Sequence, residues 1–133
     1  MRRDSREAVY KILFAELFSG ETDEEFDKLI FSEQNLNAED IEFANSLLSK
    51  IRENKQEIND VISNFSKGYK FERLYSTDKC ALIIAVCEIK YFDDIPYVVS
   101  IDEALSLVRK YSTEESLNFV NGILASLKKS LEV

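Results

Sequence analysis

The chain of 133 residues contains no histidine and has only three glycines and one proline. Without histidine, it lacks the side chain that most often serves as a general acid or base. Glycine and proline dominate tight turns, so their scarcity argues against a sheet-rich fold. The sequence also has no glycine-rich phosphate loop and no serine or cysteine nucleophile beside a base. These absences argue against an enzyme, and the residues alone indicate an all-helical binding module.

Only two cysteines are present, Cys80 and Cys87. In a helix their separation corresponds to roughly 10 Å along the axis, which is beyond disulfide reach. We therefore predict two buried, reduced thiols. A metal site would need more ligands than these two, so we expect neither a metal nor a cofactor.

Long hydrophobic segments are absent as well. The longest apolar run, from Cys80 to Cys87, is about half the length that a bilayer span requires. The chain starts with Met1-Arg2-Arg3 and enters an amphipathic pattern directly, without the apolar core of a signal peptide. We expect a cytoplasmic protein with no membrane association.

The apolar run from Cys80 to Cys87 organises the rest of the chain. A helix that is apolar on every side has to lie inside a domain. Its β-branched residues leave a buried strand as the competing interpretation. A helix is favoured because Thr77 or Ser76 supplies an N-cap with Asp78 in the first turn, and the surrounding pattern has helical period. We predict an all-α bundle of six or seven helices around this central one, in a single domain spanning 1–133.

Apolar residues at three- and four-residue spacing predict helices before and after the central one. The first should run from about Asp4 to Phe18, and another should start at the N-cap Asn37. The polar gap between Ile51 and Ile58 predicts either a kink or a break.

Three later features predict helix boundaries or packing. Pro96 should lie in the first turn of a helix, after a sharp bend between Phe92 and Ile95. Ser112-Thr-Glu-Glu115 should form a capping box for the last helix. Gly122 falls in the middle of that helix, where we expect it to allow close helix packing.

The net charge of −8 is concentrated in one stretch. Residues 21–45 contain nine acidic residues and one basic residue, so the remainder of the chain is close to neutral. Basic residues cluster at the start of the first helix, namely Arg2, Arg3, Arg6 and Lys11. This cluster is either a solvated basic terminus or part of a surface that binds an anionic ligand.

A resemblance to a known family decides between these alternatives. Four motifs follow one another in the carboxyl-terminal half: Ala85-Val-Cys-Glu-Ile89, Asp94-Ile-Pro-Tyr97, Ile101-Asp-Glu-Ala-Leu105 and Phe119-Val-Asn-Gly-Ile-Leu124. In order and spacing they resemble the signature of the NusB family. The amino-terminal Arg2-Arg3-Asp-Ser-Arg6-Glu7, followed by Leu13-Phe14, is similar to that family's arginine-rich first helix.

The resemblance implies an all-helical bundle and a role in transcription antitermination. Members of the NusB family bind the single-stranded boxA element of nascent, mainly ribosomal, RNA as a heterodimer with the ribosomal protein NusE. That heterodimer joins the RNA polymerase antitermination complex. On this basis we expect boxA-type RNA and NusE as the partners of this chain.

The resemblance also implies a set of RNA-binding residues. By position these are Arg2, Arg3, Arg6, Lys79, Tyr111, Glu115, Asn118 and Phe119. Cations would hold phosphates and aromatic rings would stack on unpaired bases. Family members often have lysine where Asn118 and Val98 stand, so this chain has two fewer cations than is usual. Phe119 has an alternative interpretation as an aromatic residue at the edge of the core.

Two other functions are compatible with the same resemblance. One is a helical adaptor that keeps the fold and its protein contacts but has lost RNA binding. The other is the NusB-like domain that precedes some RNA cytosine methyltransferases. The 133 residues contain no methyltransferase domain, so the antitermination factor is the preferred interpretation and the adaptor is its alternative.

Overall fold

The computed structural model describes residues 1–132, which form seven α-helices, one turn of 3-10 helix and no strand. The helices are α1 (Arg2–Ser19), α2 (Glu24–Glu33), α3 (Ala38–Glu53), α4 (Lys55–Phe65), α5 (Ser76–Tyr91), α6 (Tyr97–Tyr111) and α7 (Glu114–Leu131). The 3-10 turn spans Phe71–Arg73, in the connection between α4 and α5. The predicted all-α fold and the predicted number of helices are confirmed.

Helix α5 is the central element of the bundle. It packs against α1, α3, α4, α6 and α7. Every residue from Cys80 to Ile89 is buried, and Leu82 and Val86 have no exposed surface. An apolar helix that is surrounded in this way loses water from all of its faces at once, which explains why its sequence shows no amphipathic stripe.

Two predicted boundaries on the amino-terminal side are confirmed. Asn37 caps α3 through a capping box, in which its side chain accepts from the Asp40 N–H and the Asp40 carboxylate accepts from the Asn37 N–H. The polar gap after Ile51 is a break, because α3 ends at Glu53 and α4 begins at Lys55.

The predicted caps of α5 and α7 need correction. Tyr75 precedes α5 and gives it no side-chain cap, and Thr113, not Ser112, caps α7 by accepting from the Ser116 N–H at 3.0 Å. The buried Asp78 carboxylate explains the shift at α7, because it accepts hydrogen bonds from the hydroxyls of both Ser112 and Ser116.

Pro96 lies one position earlier than predicted. Helix α5 ends at Tyr91, and the chain bends through 93–95. Pro96 is the N-cap of α6, with an extended ψ of 141°. Its carbonyl accepts from the N–H groups of Val99 and Ser100. The predicted bend is therefore present. Pro96, however, is not a residue of the first helical turn but the N-cap that precedes it, and its carbonyl accepts the first hydrogen bonds of α6.

The packing role predicted for Gly122 is wrong. Gly122 is exposed, and a Cβ added at this position would meet no atom within 4 Å. No neighbouring helix approaches this glycine closely enough to require the absence of a side chain.

Both cysteines are free and buried, as predicted. Desolvation raises the pKa of each thiol to about 12, so neither forms a reactive thiolate near neutral pH. Among residues 1–132, no helix is long and apolar enough to cross a membrane.

Candidate functional site

The two arginines at the start of α1 are exposed and loosely held. An Arg2 nitrogen lies 3.6 Å from an Asp94 carboxylate oxygen, and the Arg2 guanidinium stacks on the Phe43 ring at 4.3 Å from the centroid. Arg3 donates to Glu103 on α6, with 3.1 Å between Nε and Oε2. Both arginine side chains are more than half exposed, so a phosphate can reach either guanidinium.

The prediction that Arg6 faces an RNA ligand needs correction. Arg6 is only 4% exposed, and its guanidinium donates to both carboxylate oxygens of Glu88, at 2.6 and 3.0 Å. Glu88 is itself fully buried and also accepts from the Ser100 hydroxyl at 2.8 Å. A guanidinium that is buried and paired inside the protein is not accessible to a phosphate.

Tyr111, at the end of α6, joins α1 through stacking and hydrogen bonding. Its ring stacks on Tyr10 with centroids 5.0 Å apart, and its hydroxyl donates to Glu7 at 2.7 Å. Lys110 binds the same Glu7 carboxylate oxygen at 2.6 Å. Desolvation alone would raise the pKa of Glu7, but hydrogen bonds from Lys110, Tyr111 and Gln34 outweigh it and lower that pKa. Tyr111 is thus fixed in place and half-exposed.

Phe119 lies on α7 beside a surface hollow of about 330 Å³. Its ring is half-buried and meets Tyr69 edge-on, with centroids 5.7 Å apart. Glu115 lines the same hollow and is exposed, as is Asn118 on the adjoining turn. The structure therefore brings Phe119 and Glu115 together, and Phe119 combines a partly free ring with packing against the core.

Lys79 does not line this hollow. Its ammonium lies 4.9 Å from the centre of the Phe71 ring and donates to the Glu72 carbonyl at 3.3 Å. Lys79 therefore stays a predicted RNA contact, placed beside the 3-10 turn.

The start of α1 is connected to α7 through α6, which contacts both helices. Arg3 contacts Glu103, and Tyr111 lies eight residues further along α6, or about 12 Å. Phe119 follows on α7. The predicted residues other than Arg6 and Lys79 are thus spread from the start of α1 along α6 to the first two turns of α7, and these residues are called the band below.

Sequence reasoning missed Glu7, Lys110 and Tyr69 as neighbours of this band. Each is polar or aromatic at the border of an apolar stripe, a pattern too common to single out a site. Only the packing of α6 against α1 brings Glu7 to Lys110 across a separation of 103 residues.

The fold and this band define the class. Across residues 1–132, no group of three or more histidine, cysteine, aspartate or glutamate side chains is placed to hold a metal ion. What the surface offers is exposed arginines together with half-exposed aromatic rings on an all-α bundle. This combination is typical of a helical module that binds single-stranded nucleic acid.

The particular family follows from comparison with known proteins. The NusB family model matches residues 3–129. The Transcription antitermination protein NusB of Natranaerobius thermophilus is 35% identical over 98% of this chain and 96% of its own length. That of Finegoldia magna is 34% identical over 98% of this chain and 96% of its own length. The chain belongs to the NusB family.

Solved structures agree with this assignment. The structure of T. maritima NusB is 36% identical in sequence, covers 97% of this chain and 91% of that chain, and has a TM-score of 0.90. A structure of the antitermination factors NusB and NusE in complex with dsRNA is 25% identical, covers 97% of this chain and 96% of that chain, and has a TM-score of 0.88.

Proposed function

We propose that this protein is a transcription antitermination factor that binds boxA-type single-stranded RNA together with the ribosomal protein NusE. In this role it acts in the cytoplasm, within the RNA polymerase antitermination complex, as a binding protein and not as a catalyst. The related antitermination factors NusB and NusE, which were solved in complex with dsRNA, support the pairing of these partners.

The observation that carries the RNA-binding role is the band from α1 across α6 to α7. Arg2 and Arg3 present exposed guanidinium groups, and Tyr111 and Phe119 present half-exposed rings. Guanidinium groups bind phosphates and aromatic rings stack on unpaired bases. A single strand laid along the band meets both kinds of group, whereas a duplex hides its base faces.

An exposed apolar patch beside the acidic segment supports a basic protein partner. Phe14 and Phe18 lie one turn apart on α1 and are 44% and 93% exposed. Residues 21–45, which carry a net charge of −8, begin directly after this helix. Apolar surface of this kind marks protein contacts, and the acidic segment would attract a basic ribosomal protein. We propose that NusE binds this patch.

Binding measurements with the two partners test the proposed function. We expect the protein to bind boxA RNA weakly alone and more tightly with NusE, since the chain is acidic overall. By thermodynamic reciprocity, RNA has to tighten NusE binding by the same factor. Titrations of boxA RNA with and without NusE, at two salt concentrations, measure this coupling.

Two variants locate the two proposed surfaces. Phe119→Ala should weaken RNA binding by about 1–3 kcal/mol if a base stacks on the ring. Phe18→Ala should weaken NusE binding and leave RNA binding without NusE unchanged.

Equal RNA affinities with and without NusE would contradict the coupling. NusE binding with no RNA binding in either titration would favour the adaptor that has lost RNA recognition.

A further inference from the structure

The connection between α4 and α5 is cationic and aromatic, in contrast to the acidic chain around it. Residues 67–75 read Lys-Gly-Tyr-Lys-Phe-Glu-Arg-Leu-Tyr, with three basic residues and one acidic residue. The chain as a whole has a net charge of −8. A short segment with a charge opposite to that of the whole molecule and with interleaved aromatic residues has the composition of a nucleic-acid contact.

The 3-10 turn fixes which side chains of this segment face outward. Phe71 and Leu74 are each only 8% exposed, so they anchor the segment to the core. The two tyrosines that flank the 3-10 turn face solvent, with Tyr69 61% and Tyr75 73% exposed. Both tyrosines line the hollow that also contains Phe119. Three aromatic rings from two separate parts of the chain therefore surround one concave surface.

The cations of this segment are available to a ligand. Within residues 1–132, Lys67, Lys70 and Arg73 form no ion pair, and all three are exposed. By contrast, Arg2 and Arg3 both face carboxylates. A phosphate that approaches Arg73 or Lys70 displaces water only, and no protein carboxylate has to leave first.

The carboxylates near the hollow do not oppose this use of it. Asp78 is 2% exposed, and its two oxygens accept from the hydroxyls of Ser112 and Ser116. Glu115 is exposed on the lining of the hollow, where a carboxylate can accept a hydrogen bond from the amino group of a base. The hollow thus suits bases, and the cations beside it suit the phosphates.

We propose that Lys67–Tyr75 is a second contact segment for single-stranded RNA, which extends the site beyond the residues that the family resemblance implies. One unpaired base stacks against Phe119 and Tyr69, and a neighbouring base stacks on Tyr75. Arg73 and Lys70 bind the phosphates between them. This inference rests on the proposed function, because it assigns further residues to the same RNA.

The decisive variant is Tyr75→Ala, since an exposed side chain can be removed without loss of stability. Stacking contributes about 1–3 kcal/mol per base, so the Kd for boxA RNA should rise about fivefold or more. Leu131→Ala is the control, because it also removes an exposed apolar side chain but lies outside both proposed surfaces, and without NusE it should change the Kd less than twofold. Arg73→Gln should reduce the slope of log affinity against log salt by about 0.7.

A second readout reports stacking directly. RNA in which 2-aminopurine replaces one base at a time loses fluorescence on binding when that base stacks. For at least one position, the quenching seen with wild-type protein should be lost with Tyr75→Ala. Thermal melting confirms that each variant is folded.

The outcomes separate this inference from the proposed function. If Phe119→Ala weakens RNA binding but Tyr75→Ala and Arg73→Gln bind like wild type, the second segment is refuted and the proposed function stands. If wild-type protein binds no RNA with or without NusE, both are refuted. Weaker binding by Tyr75→Ala together with loss of quenching supports the inference.

Discussion

Arg6 and Glu88 illustrate how burial changes the meaning of a charged residue. Both sit in the interior, paired at 2.6 Å, with Ser100 as a third partner. The pair joins α1, α5 and α6, and the Arg6 guanidinium also lies 5.3 Å from the centre of the Phe43 ring. The three arginines of the predicted basic cluster thus comprise one structural arginine and two exposed ones.

Arg6→Met should destabilise the protein by about 3–5 kcal/mol, because it leaves the Glu88 carboxylate buried without its cationic partner. Urea unfolding followed by circular dichroism measures this loss. The double variant Arg6→Met/Glu88→Met removes both charges and should recover a large part of it. A loss below about 1 kcal/mol for the single variant would contradict the structural role.

Asp94→Asn should tighten RNA binding by up to about fivefold, because it frees the Arg2 guanidinium from an exposed ion pair of about 0–1 kcal/mol. Asp93→Asn is the matched control, since Asp93 is exposed and makes no ion pair within residues 1–132. Equal effects of the two substitutions, measured by titration at fixed salt, would indicate a general charge effect instead of release of Arg2.

At the scale of single helices, α5 depends on close packing. Leu82 has no exposed surface, so Leu82→Ala should lower the free energy of unfolding by about 2–5 kcal/mol through lost burial and a cavity. Leu29→Ala, at a side chain that is 54% exposed, should cost less than about 0.5 kcal/mol. A folded Leu82→Ala variant with a loss below 0.5 kcal/mol would show that α5 is not central.

Gly122 offers a stabilising substitution in α7. Gly122→Ala should raise the free energy of unfolding by about 0.5–1 kcal/mol, because the site is helical, exposed and open to a methyl group. Gly20→Ala is the contrasting variant. Gly20 ends α1 with a left-handed φ of 77°, a conformation that strains any residue with a side chain, so this substitution should lower the free energy of unfolding. Thermal denaturation of both variants compares the two effects, and a destabilised Gly122→Ala would contradict the open site.

For the whole molecule, the separation of charge predicts how NusE associates. The net charge of −8 in residues 21–45 lies next to the exposed Phe18. Electrostatic attraction raises association rates about tenfold or more at low salt. The association rate for NusE should therefore fall severalfold as salt rises to physiological strength, while the dissociation rate changes less. Stopped-flow measurements at several salt concentrations check this, and a constant association rate would contradict the electrostatic attraction.

The sequence by itself determined the fold class and the order of the helices. An apolar run without periodicity has to be buried on all sides, and the amphipathic segments around it have to supply that cover, so α5 was predictable as the centre. The capping box at Asn37 was predictable for a similar reason, because it depends only on residues three positions apart.

Only the tertiary structure decided which polar residues serve the interior and which face a ligand. Arg6 resembles Arg2 and Arg3 in sequence, yet a carboxylate 82 residues away holds it inside. Ser112 has a capping pattern, yet the buried Asp78 takes its hydroxyl. Nothing in the sequence around Tyr69 and Tyr75 indicates a site, yet the fold places both beside Phe119 in one hollow. The physical reason is the same in each case: the free energy of a polar or aromatic group depends on the partners that packing brings to it, and those partners are distant in sequence.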